Sequence, residues 1–518
     1  MSFRSSPSSR PVRHAVVALV CLVPLVLVGS ADAQDPAAER LFDEARRLEQ
    51  SGDQNAALDE LELLVQQFPN DALAPRALLT IAELRRARGD EDGAHRSLST
   101  LFSAYPRSAE SAAGFVLEAD IRREAARSTE ALSEARKSYR RVPLLYGVDR
   151  FPTLEERVVA SLRGAEIALD LGDSTGVAAD LVPVIEEEPP GPWRARARLL
   201  LARAWIAEGE WQAAAEQLGQ IATDDDGGHG DAALATDDDR ETAKRWLALL
   251  HRHVVRPAAG GAVWTSVGRY PNGGPALREP SGVAAASDGR VLAVDRRSDQ
   301  VYLLDPEGRV LEQANIDGPR RPGWSGGRWP YVVTDKEIVL PFHGQRTNFL
   351  EPRPDREIPL KGMGAAVRGR FGDWFVLARG FKGLLAYESR RRGSELLVAN
   401  RLDIQDLAQD PIGRPLILDG RTNQIGRLTL DRQWDGTLLG GNWRRPEAID
   451  CDPLGKIYVL DRGNATVEVY TADGRPWATV GPVLAGGIEL KSPVDLAVDG
   501  SGRLFIADSK LPFLVVLE

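Results

Sequence analysis

The second half of the chain repeats one short β pattern six times. Each copy contains an apolar run that is typical of a strand, and the runs end at positions 295, 342, 378, 419, 461 and 508. These ends lie 36 to 47 residues apart, and the intervening segments contain Gly and Pro. In the clearer copies a Pro and a polar turn precede the run, and another turn and strand follow it. Residues 261–518 are therefore predicted to form an all-β domain of repeated units.

The last copy lacks a strand that the copy before it has. The fifth copy continues into an outer strand at residues 477–481, whereas the sixth ends with the apolar run 513–517. Residues 264–268 repeat the pattern of 477–481, and a Pro follows sixteen residues after Trp264 just as one follows Trp477. A bare strand edge promotes aggregation, and a closed ring removes it. We therefore expect residues 264–268 to pair with residues 513–517 and to close a ring of six blades.

Three of the copies resemble NHL repeats, which are four-stranded blades of β-propellers. The residues that carry this resemblance are Pro280, Asp295 and Val301; Pro446, Asp461, Asn464 and Val467; and Pro493 and Asp508. The resemblance implies a six-bladed β-propeller. The three Asp residues end their strands, where they are expected to accept hydrogen bonds from turn backbone.

A different repeat occupies the first half of the chain. Residues 52–69 and 89–106 align with a spacing of 37 and share Gly, Ala, two Leu, an aromatic residue and Pro at the same positions. Gly172 and Gly209 are again 37 apart, with apolar residues at the equivalent places. The Gly is predicted to end one helix, the apolar residues lie on one face of the next, and the Pro stops that helix. Each unit is therefore a pair of helices.

These units resemble tetratricopeptide (TPR) repeats. The matching residues are Gly52, Ala57 and Pro69 in one unit and Gly89, Ala94 and Pro106 in the next. The resemblance covers residues 36–221, and it implies stacked helix pairs with a concave surface for a partner protein. The predicted fold class is multidomain, with a TPR-like α-solenoid over residues 34–256 followed by the β-propeller over residues 261–518.

The N-terminus has the pattern of a secretory signal. Three Arg residues precede an apolar run at residues 15–29, and Ala31-Asp32-Ala33 follows as a small-x-small cleavage site. We expect residues 1–33 to be a cleaved signal peptide and the protein to be periplasmic or extracellular; retention of the segment as an anchor stays open. After cleavage Cys451 is the single cysteine, so no disulfide can form within the chain.

The two halves differ in charge. Residues 34–250 contain 26 basic and 41 acidic residues, and residues 251–518 contain 36 and 33. Nucleic-acid binding is not expected, because neither half is strongly basic. The acidic stretch 223–239 is predicted to be a solvated loop, since it lacks the alternating Asp spacing of a calcium loop. The basic rim of the propeller is a possible docking surface for the acidic helices of the same chain.

Two groups of residues are weak candidates for binding. Asp495 lies two residues after the Pro of its blade, Asp406 lies at the equivalent position of another blade, and Glu447 lies next to that position in a third, where the innermost strand borders the central channel. Lactonase-like propellers resemble this arrangement and hold a metal with such residues. The second group consists of Arg and Trp residues of the loops, which suit an anionic glycan or an acidic protein. Its members are Arg320, Arg321, Trp324, Arg328, Trp329, Arg444 and Arg445.

The sequence offers no Ser-His-Asp set and no phosphate-binding loop. We therefore expect an exported, non-enzymatic protein-interaction scaffold of the cell envelope with no cofactor, no bound metal and no membrane span after signal cleavage. Its partners are expected to be proteins on the concave helical surface and on a face of the propeller. Two alternatives stay open: a propeller that binds carbohydrate or cell wall, and a metal-dependent, lactonase-like hydrolase.

Overall fold

The computed structural model describes residues 35–151, 154–188, 191–222, 234–259, 262–325, 329–352, 357–381, 383–388, 394–396 and 403–518. The predicted signal peptide lies outside the described residues, and so do residues 223–233 of the predicted acidic loop. The chain divides into two compact units, Met1–Tyr105 and Pro106–Glu518. Within the described ranges, none of the helices is long and apolar enough to cross a bilayer.

Two helical hairpins form the described part of the first unit. The helices are α1 (Pro36–Ser51), α2 (Gln54–Gln67), α3 (Ala74–Ala87) and α4 (Glu91–Ala104). Gly52 and Gly89 have φ angles of 87° and 77°, the left-handed conformation in which Gly follows a helix end. The Asp after each Gly caps the next helix by accepting a hydrogen bond from the backbone N–H three residues later. The Gly-Asp pair is therefore the turn of each hairpin.

In the described residues of the second unit, seven further helices come first. They are α5 (Ala109–Ala125), α6 (Thr129–Leu145), α7 (Glu155–Asp170), α8 (Ser174–Glu187), α9 (Trp193–Glu208), α10 (Trp211–Ala222) and α11 (Asp237–Leu250). A π-helical turn, His251–Val255, and a short helical turn, Arg256–Ala258, continue α11. Gly172 and Gly209 again have positive φ angles, as the 37-residue spacing predicted. α6 continues past Pro143, and its end is anchored by the buried Tyr146.

Six antiparallel sheets of four strands follow the helices. Blade 1 contains β2 (Pro280–Ala285), β3 (Val291–Asp295), β4 (Gln300–Leu304) and β5 (Val310–Asn315); blade 2 contains β6 (Pro322–Ser325), β7 (Trp329–Val333), β8 (Glu337–Leu340) and β9 (Gln345–Asn348). Blade 3 contains β10 (Met363–Arg368), β11 (Trp374–Ala378), β12 (Leu384–Tyr387) and β13 (Ser394–Leu396); blade 4 contains β14 (Ile404–Gln409), β15 (Pro415–Asp419), β16 (Gln424–Leu428) and β17 (Trp434–Gly440). Blade 5 contains β18 (Pro446–Cys451), β19 (Ile457–Asp461), β20 (Thr466–Tyr470) and β21 (Pro476–Val480). Blade 6 contains β22 (Pro493–Val498), β23 (Leu504–Asp508), β24 (Leu514–Leu517) and β1 (Val267–Tyr270). The first strand of each blade contacts its counterparts in the two neighbouring blades, so the six blades form a closed propeller.

The outer strand of blade 6 comes from the front of the domain, as predicted. β1 pairs antiparallel with β24, from Val267 opposite Leu517 to Tyr270 opposite Leu514. The strand starts three residues later than expected, because Trp264 serves another purpose. Its indole N–H donates a hydrogen bond to the carbonyl of Gly502 at 3.1 Å, and its ring packs against neighbouring aromatic rings.

The Asp at the end of a second strand holds the loop that enters the same blade. Asp295 accepts hydrogen bonds from the backbone N–H groups of Arg278 and Glu279 at 2.8 and 3.0 Å. Asp461 and Asp508 make the equivalent bonds in blades 5 and 6. These carboxylates have the structural role that the sequence predicted.

Within the second unit the helices dock on the propeller at turns between strands. Asp431 of blade 4 accepts a hydrogen bond of 2.8 Å from the backbone N–H of Thr129, in the first turn of α6, where the helix dipole favours a negative charge. Arg370 of blade 3 forms an ion pair with Asp170 at the end of α7. Leu454 of blade 5 packs into the apolar cluster of α9 to α11. The predicted attraction between acidic helices and a basic propeller therefore contributes one ion pair here, beside polar and apolar contacts.

His253 anchors the last helical turn on blade 6. Its Nε2 lies 3.2 Å from the carbonyl of Gly502, and its ring stacks on Trp477 with centroids 5.4 Å apart. Burial lowers the pKa of His253 to about 3, with a further contribution from the nearby Lys456. The imidazole is therefore neutral in the folded protein at neutral and mildly acidic pH.

Replacing His253 by Gln is expected to flatten the acid limb of the stability curve. The unfolded chain binds a proton on this imidazole below about pH 6.5, whereas the folded protein does not until about pH 3, so the wild type loses stability as the pH falls through this window. Relative to His253→Gln, the loss should approach about 1.4 kcal/mol per pH unit between pH 6 and 4. Urea unfolding of both proteins across this range measures the difference, and parallel curves would contradict the assignment.

Candidate functional site

The inner strands enclose a narrow channel, and two of the predicted carboxylates face each other across part of it. Asp406 lies on β14 and Asp495 on β22, and each side chain is only 6% exposed. The space lined by these strands has a volume of about 180 Å³. A single guanidinium, that of Arg321, lies between the two carboxylates.

Arg321 precedes the inner strand of blade 2 and reaches across the channel. One guanidinium nitrogen lies 2.6 Å from Asp495 and 3.1 Å from Asp406, and the other donates to the carbonyl of Glu447 at 2.7 Å. One side chain of blade 2 thus binds blades 4, 5 and 6 together. Arg321 was predicted to lie with the other loop arginines on the surface, and this is wrong because its side chain is only 18% exposed and extends into the channel.

The channel carboxylates also connect consecutive blades through backbone N–H groups. Asp406 accepts a hydrogen bond from Ile449 of blade 5, and Asp495 accepts one from Val283 of blade 1. Asp450, which the sequence analysis missed, accepts one of 2.8 Å from Val498 of blade 6. Around this part of the ring, each carboxylate binds the inner strand of the next blade.

Burial dominates the electrostatics of the channel. It raises the pKa of Asp495 to about 7 and that of Asp450 to about 7, and it also raises the pKa of Asp406. The charge of Arg321 opposes this rise at Asp406 and Asp495. Burial disfavours the charged form of Arg321 as well, but the neighbouring carboxylates outweigh it and its pKa is raised. The channel group is therefore a buried ion cluster in which Arg321 supplies the positive charge.

These residues do not fit a metal ion. The carboxylates that would ligate one already bind the Arg321 guanidinium and backbone N–H groups. The side chain of Glu447 turns away from them toward Arg445 and Arg462, at 3.4 and 3.7 Å. The described residues contain no group of three His, Cys, Asp or Glu side chains arranged to hold a metal. The predicted trio of Asp406, Glu447 and Asp495 is thus a pair of carboxylates with an internal cation.

The predicted Arg and Trp residues do not form a single face. Arg320, Arg444 and Arg445 lie where the chain enters an inner strand, whereas Trp329 lies beyond the opposite end of β6. Arg320 is held by Asp335 at 2.6 Å and by the carbonyl of Met363. Trp324 borders the channel beneath the guanidinium of Arg290, and Arg328 lies outside the described residues.

Trp329 belongs instead to a pocket between blades 2 and 3, here called the aromatic pocket. Its lining residues are Ser325, Trp329, Tyr331, Leu340, His343, Gln345, Arg368 and Trp374, and its volume is about 270 Å³. The Trp329 and His343 rings meet edge to face at 4.9 Å, and so do those of Tyr331 and Trp374 at 5.0 Å. The aromatic side chains thus form the walls of a small concave site.

One arginine provides the charge of the aromatic pocket. The guanidinium of Arg368 lies over the Trp374 ring, 5.6 Å from its centroid, and donates a hydrogen bond of 3.2 Å to the Ser325 hydroxyl. Trp329 is 44% exposed, which is unusual for so large an apolar side chain. Pockets with apolar walls and a few polar groups are the usual form of small-ligand sites. Trp329 was a candidate from the sequence. The other lining residues of the pocket were not, because blades 2 and 3 are the copies with the weakest repeat pattern.

Comparison with known proteins gives similarity to the propeller alone. No family model matches the chain, and no curated protein matches it. Solved structures that match include a gluconolactonase from Xanthomonas campestris (13% identity, TM-score 0.36, 47% of this chain and 86% of that one) and virginiamycin B lyase from Staphylococcus aureus (11%, 0.36, 49% and 98%). A calcium-binding regucalcin from Agrobacterium tumefaciens matches at 14% identity, with a TM-score of 0.37 and coverage of 49% and 93%.

These comparisons correct one prediction and leave another untested. The expectation that the chain is not an enzyme is wrong by this comparison, since the matched propellers include a lyase and a gluconolactonase. The similarity is too low to indicate any particular activity. Six blades and a helical N-terminal region are present, whereas membership in the NHL and tetratricopeptide families stays a prediction.

Proposed function

We propose that this protein is an exported recognition protein whose propeller binds a saccharide in the aromatic pocket and whose helical hairpins hold a protein partner. The observation that carries the proposal is the aromatic pocket itself, with an exposed Trp329, a second indole at Trp374 and the guanidinium of Arg368 in one concave site. Export is part of the proposal and is supported by the signal pattern of residues 1–33.

The composition of the pocket favours a sugar ring over a purely apolar ligand. Aromatic faces bind the C–H faces of a ring through dispersion and burial of apolar area. Ser325, His343 and Gln345 add hydrogen-bonding groups at the same site, and these can bind hydroxyl groups. A purely apolar ligand would cover those polar groups without giving them new hydrogen bonds, which costs free energy.

The helical hairpins support the second half of the proposal. Repeated helix pairs joined by a Gly-Asp turn present a regular surface, and such surfaces are widely used to bind peptides and proteins. A pull-down from the native cell envelope with the full chain as bait, compared with residues 262–518 alone, tests whether a partner depends on the helices.

A metal-dependent hydrolase acting through Asp406, Glu447 and Asp495 is not supported. The guanidinium of Arg321 is bound to both Asp carboxylates, and the Glu447 carboxylate points elsewhere. Activity in the aromatic pocket is a separate matter, so the binding experiments should also analyse each bound saccharide for cleavage products.

Replacing Trp329 by Ala is expected to weaken saccharide binding by about tenfold or more, because an exposed indole in a binding site contributes much of the binding energy. The fold should not change, since this side chain is 44% exposed. A glycan array followed by titration calorimetry on the best ligand measures the effect. Leu311→Ala serves as the control, since Leu311 is also exposed and lies on the outer strand of blade 1. Absence of any saccharide ligand, or equal binding by the two variants, would overturn the proposal.

A further inference from the structure

A second cleft adjoins the aromatic pocket, between the helices and the propeller of the second unit. It has a volume of about 560 Å³ and shares Ser325, Trp329 and Arg368 with that pocket. We call it the arginine cleft and define it by five of its lining residues: Asp170, Arg203, Arg368, Arg370 and Gln409. The cleft is therefore built from α7 and α9 on one side and from blades 3 and 4 on the other.

Positive charge exceeds negative charge around this cleft. Of its two acidic residues, Asp170 is paired with Arg370. Asp410 is held within its own turn, where it accepts hydrogen bonds from the backbone N–H of Ile412 and from Arg414. The lining thus has three guanidinium groups, on Arg203, Arg368 and Arg370. The carboxylate of Asp170 is paired with Arg370 and leaves the charge of the other two unbalanced.

The neighbouring ion pairs do not neutralise this excess. Glu166 of α7 accepts hydrogen bonds from Arg123 at 3.0 Å and from Arg196 at 3.2 Å, so one carboxylate already serves two guanidinium groups. Arg203 lies on the same helix as Arg196, two turns further on. The arginines here outnumber the carboxylates on the helical side as well as on the propeller side.

Arg203 is the residue for which this imbalance matters most. It is partly buried, and among the described residues it has no hydrogen-bond or ion-pair partner. Burial lowers the pKa of Arg203, the charge of Arg196 lowers it further, and Glu166 opposes both. A cation that is partly withdrawn from water without a partner costs free energy, and proteins usually supply a counter-charge. No such counter-charge contacts Arg203 from the described part of the chain.

We propose that the arginine cleft is an anion-binding site that takes the acidic group of a saccharide whose ring lies in the aromatic pocket. The second part of this statement rests on the proposed function. A guanidinium group binds a carboxylate, sulfate or phosphate through two parallel hydrogen bonds. Arg203, Arg368 and Arg370 line one open space. Arg368 lines both sites, and it places the positive charge next to the aromatic walls.

An acidic saccharide suits the combined site better than an acidic peptide. The aromatic pocket is short and concave, with two indole rings and polar side chains that fit one sugar ring. An extended peptide would instead gain from a free strand edge or a long groove. The anion would contact α9 and blade 3 together, so binding should also strengthen the docking of the helices on the propeller.

The anion site is tested with inorganic pyrophosphate, which carries the charge without a sugar ring. Titration calorimetry of the wild type should give saturable binding that weakens as salt is raised. Arg203→Gln should weaken it by about tenfold or more, because one charge-assisted pair of hydrogen bonds is lost. Without pyrophosphate this variant should melt at the same temperature as the wild type or higher, since the described residues give the Arg203 side chain no hydrogen bond or ion pair to lose.

The control is Arg198→Gln, on the same helix. Arg198 donates a hydrogen bond of 2.7 Å to Gln217 and does not line the cleft, so pyrophosphate affinity should stay at the wild-type value. Wild-type protein that binds no pyrophosphate at low salt would overturn the anion site. Equal affinity of Arg203→Gln and the wild type would overturn it too.

A second pair of measurements separates this inference from the proposed function. If both hold, an acidic oligosaccharide binds the wild type at least tenfold more tightly than its neutral analogue, and Arg203→Gln removes this preference but keeps neutral binding. If pyrophosphate binds and no saccharide does, the proposed function fails and the anion site stands. If the neutral analogue binds as well as the acidic one, or poly-glutamate displaces pyrophosphate more strongly than any acidic saccharide, the acidic-saccharide assignment is wrong.

Discussion

Replacing Arg321 by Met is expected to lower the free energy of unfolding by about 3–5 kcal/mol at pH 8, because breaking a buried ion cluster leaves its other charges without a partner. The two carboxylates that would remain, on Asp406 and Asp495, are each only 6% exposed. Urea unfolding followed by tryptophan fluorescence and far-UV circular dichroism measures the loss.

The pH dependence of this effect identifies its cause. Burial already raises the pKa of both carboxylates while Arg321 opposes the rise, so removing Arg321 should raise these pKa values further. The difference between the variant and the wild type should therefore shrink as the pH falls from 8 to 5 and the carboxyl groups take up protons. Adding Asp406→Asn and Asp495→Asn to Arg321→Met should likewise restore part of the loss at pH 8.

Arg445→Met provides the matched control for Arg321→Met. Arg445 precedes the inner strand of blade 5 just as Arg321 precedes that of blade 2, but its side chain is 64% exposed and its partner Glu447 lies 3.4 Å away. Surface ion pairs contribute less than about 1 kcal/mol, so this change should have little effect. Similar losses for the two variants, or a loss for Arg321→Met that does not change with pH, would contradict the buried ion cluster.

Replacing Tyr270 by Ala is expected to lower the free energy of unfolding by about 3–5 kcal/mol, because truncating a buried aromatic side chain leaves a cavity. Tyr270 ends β1 and packs on Phe505 of blade 6, with ring centroids 5.9 Å apart. Its hydroxyl donates a hydrogen bond of 2.6 Å to the carbonyl of Pro306 in blade 1. This one side chain therefore fastens the outer strand of blade 6 to the next blade.

Tyr270→Phe keeps the ring and removes only the hydroxyl, so it should cost about 1 kcal/mol. Hydrogen exchange gives the second measurement, because opening of the ring at β1 exposes the backbone of β24 first. In Tyr270→Ala the amides of residues 514–517 should exchange faster than those of β19 in blade 5. Uniform acceleration through all six blades would show that the pairing of β1 with β24 does not control opening.

The sequence predicted the ring closure because its pattern is carried by the backbone and by spacing. A missing strand at one end and an extra one at the other leave a single arrangement without a bare edge. The start of β1 was misplaced by three residues because Trp264 has the apolar character of a strand residue, whereas the structure uses it to bind Gly502 and pack against His253. Period-two patterns do not distinguish these uses.

The channel was predicted only in part, for a physical reason. Their place in the repeat, two residues after the blade's Pro or at the equivalent position, indicated that Asp406 and Asp495 face the channel, and they do. The direction of Arg321 depends on how the loop from blade 1 enters blade 2, and no local pattern specifies that direction. A pair of carboxylates with arginines nearby in the sequence is therefore equally consistent with a metal site and with an ion cluster. The position of the Arg321 guanidinium in the structure distinguishes the two.

The aromatic pocket and the arginine cleft were beyond sequence reasoning for a similar reason. The residues of the arginine cleft come from segments up to 243 positions apart, between Asp170 and Gly413, and meet only through the docking of helices on the propeller. Trp329 was a candidate because Trp residues in loops suit binding surfaces. No sequence pattern pointed to His343, Trp374 or Arg203. Such sites depend on tertiary contacts rather than on repeats.

The most direct measurement is a crystal structure of the protein with the acidic oligosaccharide that binds it best. We predict ring density against Trp329 and Trp374 and the acidic group among Arg203, Arg368 and Arg370, with Arg321 still bound to Asp406 and Asp495. Density for the saccharide or for a metal in the channel, with the Arg321 guanidinium displaced, would contradict the central claim that the channel is closed by its own cation and that recognition takes place between blades 2 and 3.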